Sequence, residues 1–291
     1  MKRNVVVVTC VFERNSINRL IKELEKQKNV LIQLVVVDHG EKKTEVISSS
    51  LCTRVLTAPS TYWFTDAINC GLKELKVYDD STVGIILNDD AIFKDDNFIF
   101  NLSEPVFENM NNIIAAECLN LKTEKIEYSG LKLNKLLCSY EHINKGASES
   151  SGELFECDAL PTRAIAFSKS VLDEVGLLNA DRLPQYGSDY EWTIRAKKYR
   201  YKLFINQKCK VYTCLDPSTR HLVSARKVYK ENKLSNFLNE FVSDKKQNSI
   251  KCNYNFARLS YSLPYSIYYT FFRGIKVIIG FILYNYIKPS K

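Results

Sequence analysis

The first 90 residues of the chain alternate between the hydrophobic periods typical of strands and of helices. Four short segments bounded by polar residues predict strands: Val5–Val8, Ile32–Val37, Arg54–Leu56 and Val83–Leu87. Between them, apolar residues recur at helical spacing, first at Ile17, Leu20, Ile21 and Leu24, then at Ala67, Ile68, Gly71, Leu72 and Leu75. Strands that alternate with amphipathic helices predict an α/β fold with a mostly parallel central sheet.

The pattern after residue 100 is less regular. Ile113–Cys118 predicts a strand, and Ile126–Leu133 predicts a hairpin because a Ser-Gly pair lies at its centre. Residues 144–153 combine Gly, Ser and charge, a composition typical of a loop. Tyr201–Ile205 and Lys210–Cys214 predict two closing strands.

Two helices in this region have recognisable boundary residues. Ser168 opens an apolar segment that ends at Gly176, and glycine is common just past a helix end. Ser188 and Glu191 fit a capping box, in which the two side chains bond to backbone N–H groups of the first turn. This places Asp189 at a helix start, where the helix dipole favours an ionised carboxylate.

The positive charge of the chain is concentrated at its C-terminal end. The whole chain carries 41 Lys and Arg against 33 Asp and Glu, a net charge of +8. Residues 218–291 hold 13 basic and 3 acidic residues, a balance of +10, whereas residues 1–217 hold 28 and 30, a balance of −2. We therefore expect a slightly acidic body followed by a basic, aromatic-rich helical extension.

The extension is also apolar. Leu263–Ile287 is long enough to cross a bilayer, but Arg273 and Lys276 lie in its middle, where charge is costly. An interfacial helix or re-entrant hairpin on anionic headgroups is therefore favoured over a true span. A helix pair packed on the core would give the same pattern. Nucleic-acid binding is disfavoured, because the aromatic residues cluster among Leu, Ile and Phe rather than among Lys and Arg.

Carboxylates follow two of the predicted strands at the point where each strand ends. Asp38 follows the second strand, and Asn88-Asp89-Asp90 follows the fourth. Because ligands of parallel α/β sheets bind beyond the carboxyl ends of strands, we expect both to face one crevice. Such carboxylates suit Mg²⁺ or Mn²⁺, although Asn and Asp also favour ordinary turns. Asp189 is placed to act as a general base, although Asp is also common in first turns.

The order of these parts resembles the family 2 glycosyltransferases, inverting enzymes of the GT-A fold. Four strings carry the resemblance in the first half: VVVVTCVFERNSINRLIKELEKQ, LIQLVVVDHGEKKT, YWFTDAINCGLKEL and VGIILNDDA. A later one, LPTRAIAFSKSVLDEVGLLNADRLPQYGSDYEWTIRAKKYRYKL, resembles the acceptor side of the family. The resemblance covers residues 4–215 and lies in the order and spacing of parts. The chain departs from the family at Glu13, where Asn is usual, and at Asn88, the first position of the DXD-type motif.

The resemblance implies a GT-A domain of residues 1–217, in which residues 1–100 bind the nucleotide sugar and residues 101–217 the acceptor, followed by the extension of residues 218–291. To the nucleotide sugar it assigns Thr9, Phe12, Glu13, Asp38, Asn69, Asn88 and Asp89. It assigns a divalent cation, Mg²⁺ or Mn²⁺, to Asp90 and Asp89, with His221 as the nearest candidate for a further ligand, and it makes Asp189 the general base. Arg163 and Trp192 are acceptor-side candidates, with core packing the favoured alternative for Trp192.

The function implied is transfer of a sugar from a nucleotide-sugar donor to a hydroxyl of a glycan or lipid-linked glycan, in cell-surface polysaccharide assembly. The implied location is cytoplasmic, peripheral to the inner face of the cell membrane. Within a rhamnosyltransferase-like group, rhamnosyl, galactosyl, glucosyl and N-acetylhexosaminyl transfer all stay open. Two other classes also stay open: a non-catalytic, membrane-associated nucleotide-sugar-binding protein, and a nucleotidyltransferase. The segment TCVFERNS lacks the Gly-rich or Lys-containing phosphate loop usual in the latter.

Overall fold

A computed structural model of the protein describes residues 2–13, 16–47, 49–143, 154–213, 234–243, 246 and 249–283. The strands are β1 (Arg3–Val11), β2 (Val30–Asp38), β3 (Cys52–Thr57), β4 (Val83–Leu87), β5 (Ile92–Phe93), β6 (Asn112–Asn120), β7 (Ile126–Tyr128), β8 (Leu131–Asn134), β9 (Ser139–His142), β10 (Leu154–Glu156), β11 (Ala164–Ser168) and β12 (Lys202–Thr213). The helices are α1 (Ser16–Glu25), α2 (Phe64–Glu74), α3 (Phe98–Glu108), α4 (Lys169–Glu174), α5 (Ser188–Lys198), α6 (Leu234–Val242), α7 (Ile250–Ser260) and α8 (Leu263–Ile282), with a 3₁₀ turn at Leu75–Val77.

One large sheet organises the molecule. Its strand order is β10-β12-β6-β11-β4-β1-β2-β3, with β5 on β12 and β7 on β6. The strands β3, β2, β1 and β4 are all parallel, as the alternation of strands and helices predicts. Beyond β4 the sheet is mixed, because β11 runs antiparallel to both β4 and β6 while β12 is parallel to β6. The α/β prediction is therefore confirmed, with the parallel pairing concentrated in the first half.

Helices cover both faces of the sheet, which explains why its central strands are largely apolar on both faces. Val5 and Val7 of β1 face the cluster that contains the apolar side of α1. Val6 and Val8 face the other way, toward α2, α4 and α5. The helix α2 lies so close to β1 that a Cβ atom at Gly71 would be 2.3 Å from Cγ1 of Val8. Close packing of this helix therefore requires glycine at that position.

The hairpin predicted over Ile126–Leu133 is wrong. The strand β7 pairs with β6, whereas β8 pairs with β9 in a separate two-stranded sheet. The Ser-Gly pair between them is buried rather than exposed in a turn, and a Cβ atom at Gly130 would be 2.1 Å from Sγ of Cys157. Glycine is needed here for close passage of the chain. The two closing strands are also one, β12, with an irregular register between Asn206 and Lys210. The predicted loop 144–153 lies outside the described residues.

The C-terminal extension folds as helices packed on the body. The helices α7 and α8 pack against each other, and α7 also contacts α5. Phe237 of α6 packs on Val277 and Phe281 of α8. Among the described residues, no helix combines the length and apolarity needed to cross a bilayer. This arrangement corresponds to the packed helix pair, one of the alternatives that the sequence leaves open.

Candidate active site

A cavity of about 530 Å³ opens where β4 ends. Its wall is formed by the turn after β4, the loop before β11, the start of α5, the β8–β9 hairpin and the helices α7 and α8. Five of the residues singled out from the sequence line this one cavity: Asn88, Asp89, Asp90, Arg163 and Asp189. The structure therefore brings together the acidic turn after the fourth strand and the acidic residue at the helix start.

The turn Asn88-Asp89-Asp90 is fixed by the first turn of α1. The hydroxyl of Ser16 donates to Oδ2 of Asp89, and the guanidinium of Arg19 donates to the backbone carbonyl of Asp90 at 3.0 Å. In contrast, Oδ1 of Asp90 is buried and has no hydrogen-bond partner among the described residues. A buried carboxylate oxygen without a donor is costly, and a bound cation would satisfy it.

Arg163 lies next to this turn. Its backbone carbonyl accepts a hydrogen bond from the N–H of Asn88 at 3.0 Å, which continues the pairing of β4 with β11. Its guanidinium lies over the ring of Tyr128, with 4.1 Å between the Cζ atom and the ring centroid. The cation–π contact holds this positive charge at the cavity beside the two carboxylates.

The acidic turn fits a divalent cation that takes one or two protein carboxylates and completes its shell with phosphate oxygens and water. Asp89 and Asp90 supply oxygens of the right type, and the unpartnered oxygen of Asp90 is the observation that favours this assignment. Within the described part of the chain, no group of three or more His, Cys, Asp or Glu side chains is arranged to hold a metal. His221, the candidate for a further ligand, lies outside the described residues.

Asp189 is positioned by the turn that begins α5. Gly187 precedes the helix with a φ of +81°, a backbone conformation that favours glycine. The predicted capping box is wrong: the hydroxyl of Ser188 instead pairs with that of Thr65 at 2.8 Å, and Glu191 accepts from Nε of Arg195 at 2.8 Å. The start of α5 is thus anchored to its surroundings by tertiary contacts, which its own first-turn sequence does not reveal.

The surroundings of Asp189 change its acidity. Burial raises the pKa of Asp189 from its usual 3.8 to about 6, against the opposing effects of the Tyr190 N–H and the positive charge of Arg163. Burial and the neighbouring Asp189 also raise the pKa of the Tyr190 phenol well above its usual value. A carboxylate with a pKa near 6 is ionised at neutral pH and is basic enough to accept a proton.

The residues at the ends of β1 and β2 form a second group, outside the lining of the cavity. Asp38 accepts from the N–H groups of Gly40 and Thr44. Glu13, with a φ of +49°, accepts from the N–H groups of the same loop after β2, at Glu41 and Lys42. The ring of Phe12 lies 5.2 Å from that of His39 and is 45% exposed. Thr9 is fully buried, and its hydroxyl has no hydrogen-bond partner in the part of the chain that the structure describes.

Two of the candidate site residues, Asn69 and Trp192, do not line the cavity, and their side chains bond to backbone groups of the scaffold. The side-chain amide of Asn69 donates to the carbonyl of Leu178 at 2.8 Å and accepts from its N–H at 3.1 Å. Trp192 is completely buried, and its indole N–H donates to the carbonyl of Gly176 at 2.8 Å. Trp192 therefore belongs to the core, the alternative that the sequence favours, and does not line the cavity.

The C-terminal extension supplies a wall of the cavity that the sequence analysis does not anticipate. Tyr261, Tyr265, Tyr269 and Arg273 all line it, together with Phe256 of α7. Tyr265, Tyr269 and Arg273 are spaced by four residues, which places them on one side of α8, and Tyr261 lies just before that helix. The spacing groups the three residues, but it does not show that their side faces the body. Three α8 side chains also donate to successive backbone carbonyls at the tip of the β8–β9 hairpin: Tyr265 to Lys135, Tyr268 to Leu136 and Lys276 to Leu137.

Two solved structures share this architecture. The crystal structure of GalNAc-T7 with UDP, GalNAc and Mn²⁺ aligns with a TM-score of 0.59 and 13% identity over 89% of this chain, which spans only 47% of that protein. The mannosyltransferase PcManGT from Pyrobaculum calidifontis, in complex with GDP-Man and Mn²⁺, aligns with a TM-score of 0.54 and 10% identity, over 99% of this chain and 89% of its own. No protein-family model matches the chain, and no curated protein matches its sequence. At such identities the likeness concerns the fold, and the chain has the α/β fold of the GT-A glycosyltransferases.

Proposed function

We propose that the protein is an inverting glycosyltransferase that moves a sugar from a nucleotide-sugar donor to a hydroxyl of a glycan or lipid-linked glycan. One observation carries the proposal: a single cavity joins the strand-end carboxylates Asp89 and Asp90 to Asp189 at the start of α5. The GT-A fold, and the nucleotide ligands and Mn²⁺ bound to the two similar structures, support the same class of donor. A role in cell-surface polysaccharide assembly is part of the proposal and comes from the resemblance in sequence.

The donor diphosphate is assigned to the acidic turn. Asp90, together with Asp89, would hold Mg²⁺ or Mn²⁺, and the positive charge of Arg163 lies next to them. A cation bound there would neutralise the charge that develops on the leaving nucleoside diphosphate. The nucleoside is assigned to the ends of β1 and β2, where Phe12, Glu13 and Asp38 lie. These strands are neighbours of β4 in the sheet, and strand spacing puts β2 about 10 Å from β4.

Asp189 is assigned as the general base. Attack by an acceptor hydroxyl on the anomeric carbon, from the face opposite the leaving group, needs one base and no covalent intermediate. The hydroxyl proton passes to the Asp189 carboxylate as the new C–O bond forms and the bond to the diphosphate breaks. A single positioned base contributes about 10²- to 10⁴-fold to such a rate.

The test is a panel of nucleotide sugars assayed for release of nucleoside diphosphate with MnCl₂ and a mixture of sugar acceptors. We expect release from one donor class, reversal by EDTA, and a loss of about 10²- to 10⁴-fold in Asp189→Asn with the donor Kd nearly unchanged. Asp181→Asn is the matched control, since Asp181 is exposed and lies outside the cavity. Normal turnover in Asp189→Asn would refute the base assignment. Binding without release in the wild type would indicate a non-catalytic binding protein, and release of pyrophosphate a nucleotidyltransferase.

The outer face of α8 is assigned to the surface of an anionic membrane, on the cytoplasmic side. Six apolar side chains on this face are between 37% and 67% exposed: Leu263, Ile267, Phe271, Ile275, Ile278 and Ile282. The extension that carries them has a charge balance of +10, which complements anionic headgroups.

Sedimentation with lipid vesicles tests this assignment. We expect the full-length protein to bind vesicles that contain phosphatidylglycerol but not vesicles of phosphatidylcholine alone, with binding weakened by salt. The double variant Ile267→Ser with Phe271→Ser should lose this binding. Val77→Ser, which removes a 76% exposed side chain from the body, serves as the control. Unchanged vesicle binding by the double variant would refute the assignment.

A further inference from the structure

The cavity has two ends of different chemistry, and Asp189 lies between them. At one end the N–H of Asn88 bonds to the carbonyl of Arg163 beside Asp90. At the other end Tyr269 and Arg273 of α8 line the wall, and the ring of Tyr190, next to Asp189, contacts that of Tyr140 on the hairpin. The end that contains Asp90 is the one assigned above to the donor diphosphate. The other end is built from the β8–β9 hairpin and from α8, and has no role in the donor assignment.

Arg273 is the cation of this second end. It is half-buried, lines the cavity and donates from Nε to Oδ1 of Asn253 at 3.4 Å. Among the described residues it makes no ion pair with a carboxylate, unlike Arg195, which is paired with Glu191. A guanidinium offers five N–H donors in a planar fork that matches phosphate and carboxylate groups. Arg273 therefore has donors available to an anion in the cavity.

Aromatic rings line the path between Asp189 and Arg273. The ring of Tyr269 contacts those of Phe256, Tyr261 and Tyr265 at centroid distances of 5.9, 6.1 and 6.2 Å. The ring of Tyr140, on the β8–β9 hairpin, lies 6.5 Å from that of Tyr190, and both residues line the cavity. Ring faces give apolar contact to the C–H face of a sugar, while a few polar groups fix its orientation.

We propose that this end is a subsite for an anionic acceptor, in which Arg273 binds a phosphate or carboxylate of the acceptor and the tyrosine rings hold its sugar near Asp189. The inference rests on the proposed function and adds the substrate class to it. It also accounts for an arginine in the middle of a largely apolar helix, because residue 273 lies on the cavity side of α8 together with Tyr265 and Tyr269.

The test uses the full-length protein saturated with MnCl₂ and the nucleoside diphosphate that the panel identifies, so that the donor end is filled. Three probes are titrated: methyl glucoside, methyl glucuronide and glucose 1-phosphate. The wild type should bind one or both anionic probes about ten- to a hundredfold more tightly than the neutral one. The two anionic probes separate a carboxylate from a phosphate as the recognised group.

Variants assign the preference to Arg273. We expect Arg273→Gln to abolish the preference for anionic probes and Arg273→Lys to keep part of it. Arg258→Gln should leave the preference intact, since Arg258 belongs to α7 and lies outside the cavity lining. The Kd for the nucleoside diphosphate should stay within about twofold of the wild type in all three.

Three results would overturn the inference. The wild type would bind all three probes equally well, or Arg273→Gln would keep the preference for anionic probes, or Arg273→Gln would lose affinity for the nucleoside diphosphate as well as the preference. The last result would assign Arg273 to the donor. The wild-type comparison needs no variant, so it stays decisive even if Arg273→Gln does not fold. A different result would refute the proposed function itself: a wild type that neither binds a nucleoside diphosphate nor releases one from any donor in the panel.

Discussion

Replacing Asp189 by Asn should make the protein more stable and less active at the same pH. The folded structure holds this carboxyl where burial raises its pKa from 3.8 to about 6. Because a shift of one pKa unit corresponds to about 1.4 kcal/mol, ionising this group costs the folded state at most about 3 kcal/mol. An amide of the same shape carries no charge, avoids that cost and keeps an oxygen to accept from the N–H of Tyr190.

The pH dependence of this effect has a definite sign. Below about pH 3 the carboxyl is protonated in both the folded and unfolded states, so Asp189→Asn should change the free energy of unfolding little. As the pH rises from about 4 to about 6, the unfolded chain releases its proton first and the wild type loses stability. Above about pH 6 the difference should stay constant, with the variant up to about 3 kcal/mol more stable.

Two measurements check this reasoning. Urea denaturation from about pH 4 to about pH 8 gives the free energy of unfolding of each protein. The pH profile of wild-type turnover should fall about tenfold per unit below about pH 6, because the base is then protonated. Asp181→Asn should alter neither quantity, since its side chain is exposed. The reasoning is wrong if Asp189→Asn is less stable than the wild type at pH 8, or if turnover is flat through pH 6.

Three further predictions concern the metal and the packing. A nucleoside diphosphate with Mn²⁺ should stabilise the protein by about 2.7 kcal/mol at a hundredfold excess over Kd, and a thermal shift assay should show this effect reversed by EDTA and lost in Asp90→Asn. Arg195→Ala should lower the free energy of unfolding by about 3 to 5 kcal/mol in urea, because it leaves the fully buried Glu191 without its cation; a loss below about 1 kcal/mol would contradict this. Gly71→Ala should cost about 1 to 3 kcal/mol in the same assay, since its methyl group would meet Val8, and an unchanged midpoint would show that α2 can move away.

The first half of the fold is predictable from the sequence because its determinants are local. Each central strand is buried on both faces and is therefore largely apolar, and each helix between strands has a single apolar side. The second half depends on contacts distant in sequence. Gly130 suggests a surface turn. In the folded structure, however, Cys157 lies so close to Gly130 that a side chain there would not fit, and this contact between distant parts of the chain is not visible in the sequence pattern.

The same distinction applies to the candidate site. Asp90 and Asp189 are identifiable because a strand end and a helix start are local features that place a carboxylate at an exposed edge. The wall formed by α8 is not identifiable in this way, because the helix is apolar or aromatic on every side. Hydropathy does not distinguish the side that carries Tyr265, Tyr269 and Arg273 from the side that carries Phe271; only packing on the body does.

The attachment of α8 to the β8–β9 hairpin has a consequence for how acceptor preference can change. The three bonds from Tyr265, Tyr268 and Lys276 end on backbone carbonyls, which every residue type supplies. The side chains at the hairpin tip can therefore be exchanged without loss of those bonds. Lys135, which is exposed and lines the cavity, is thus a position where a library of substitutions would change the rim of the cavity while the scaffold beneath stays in place.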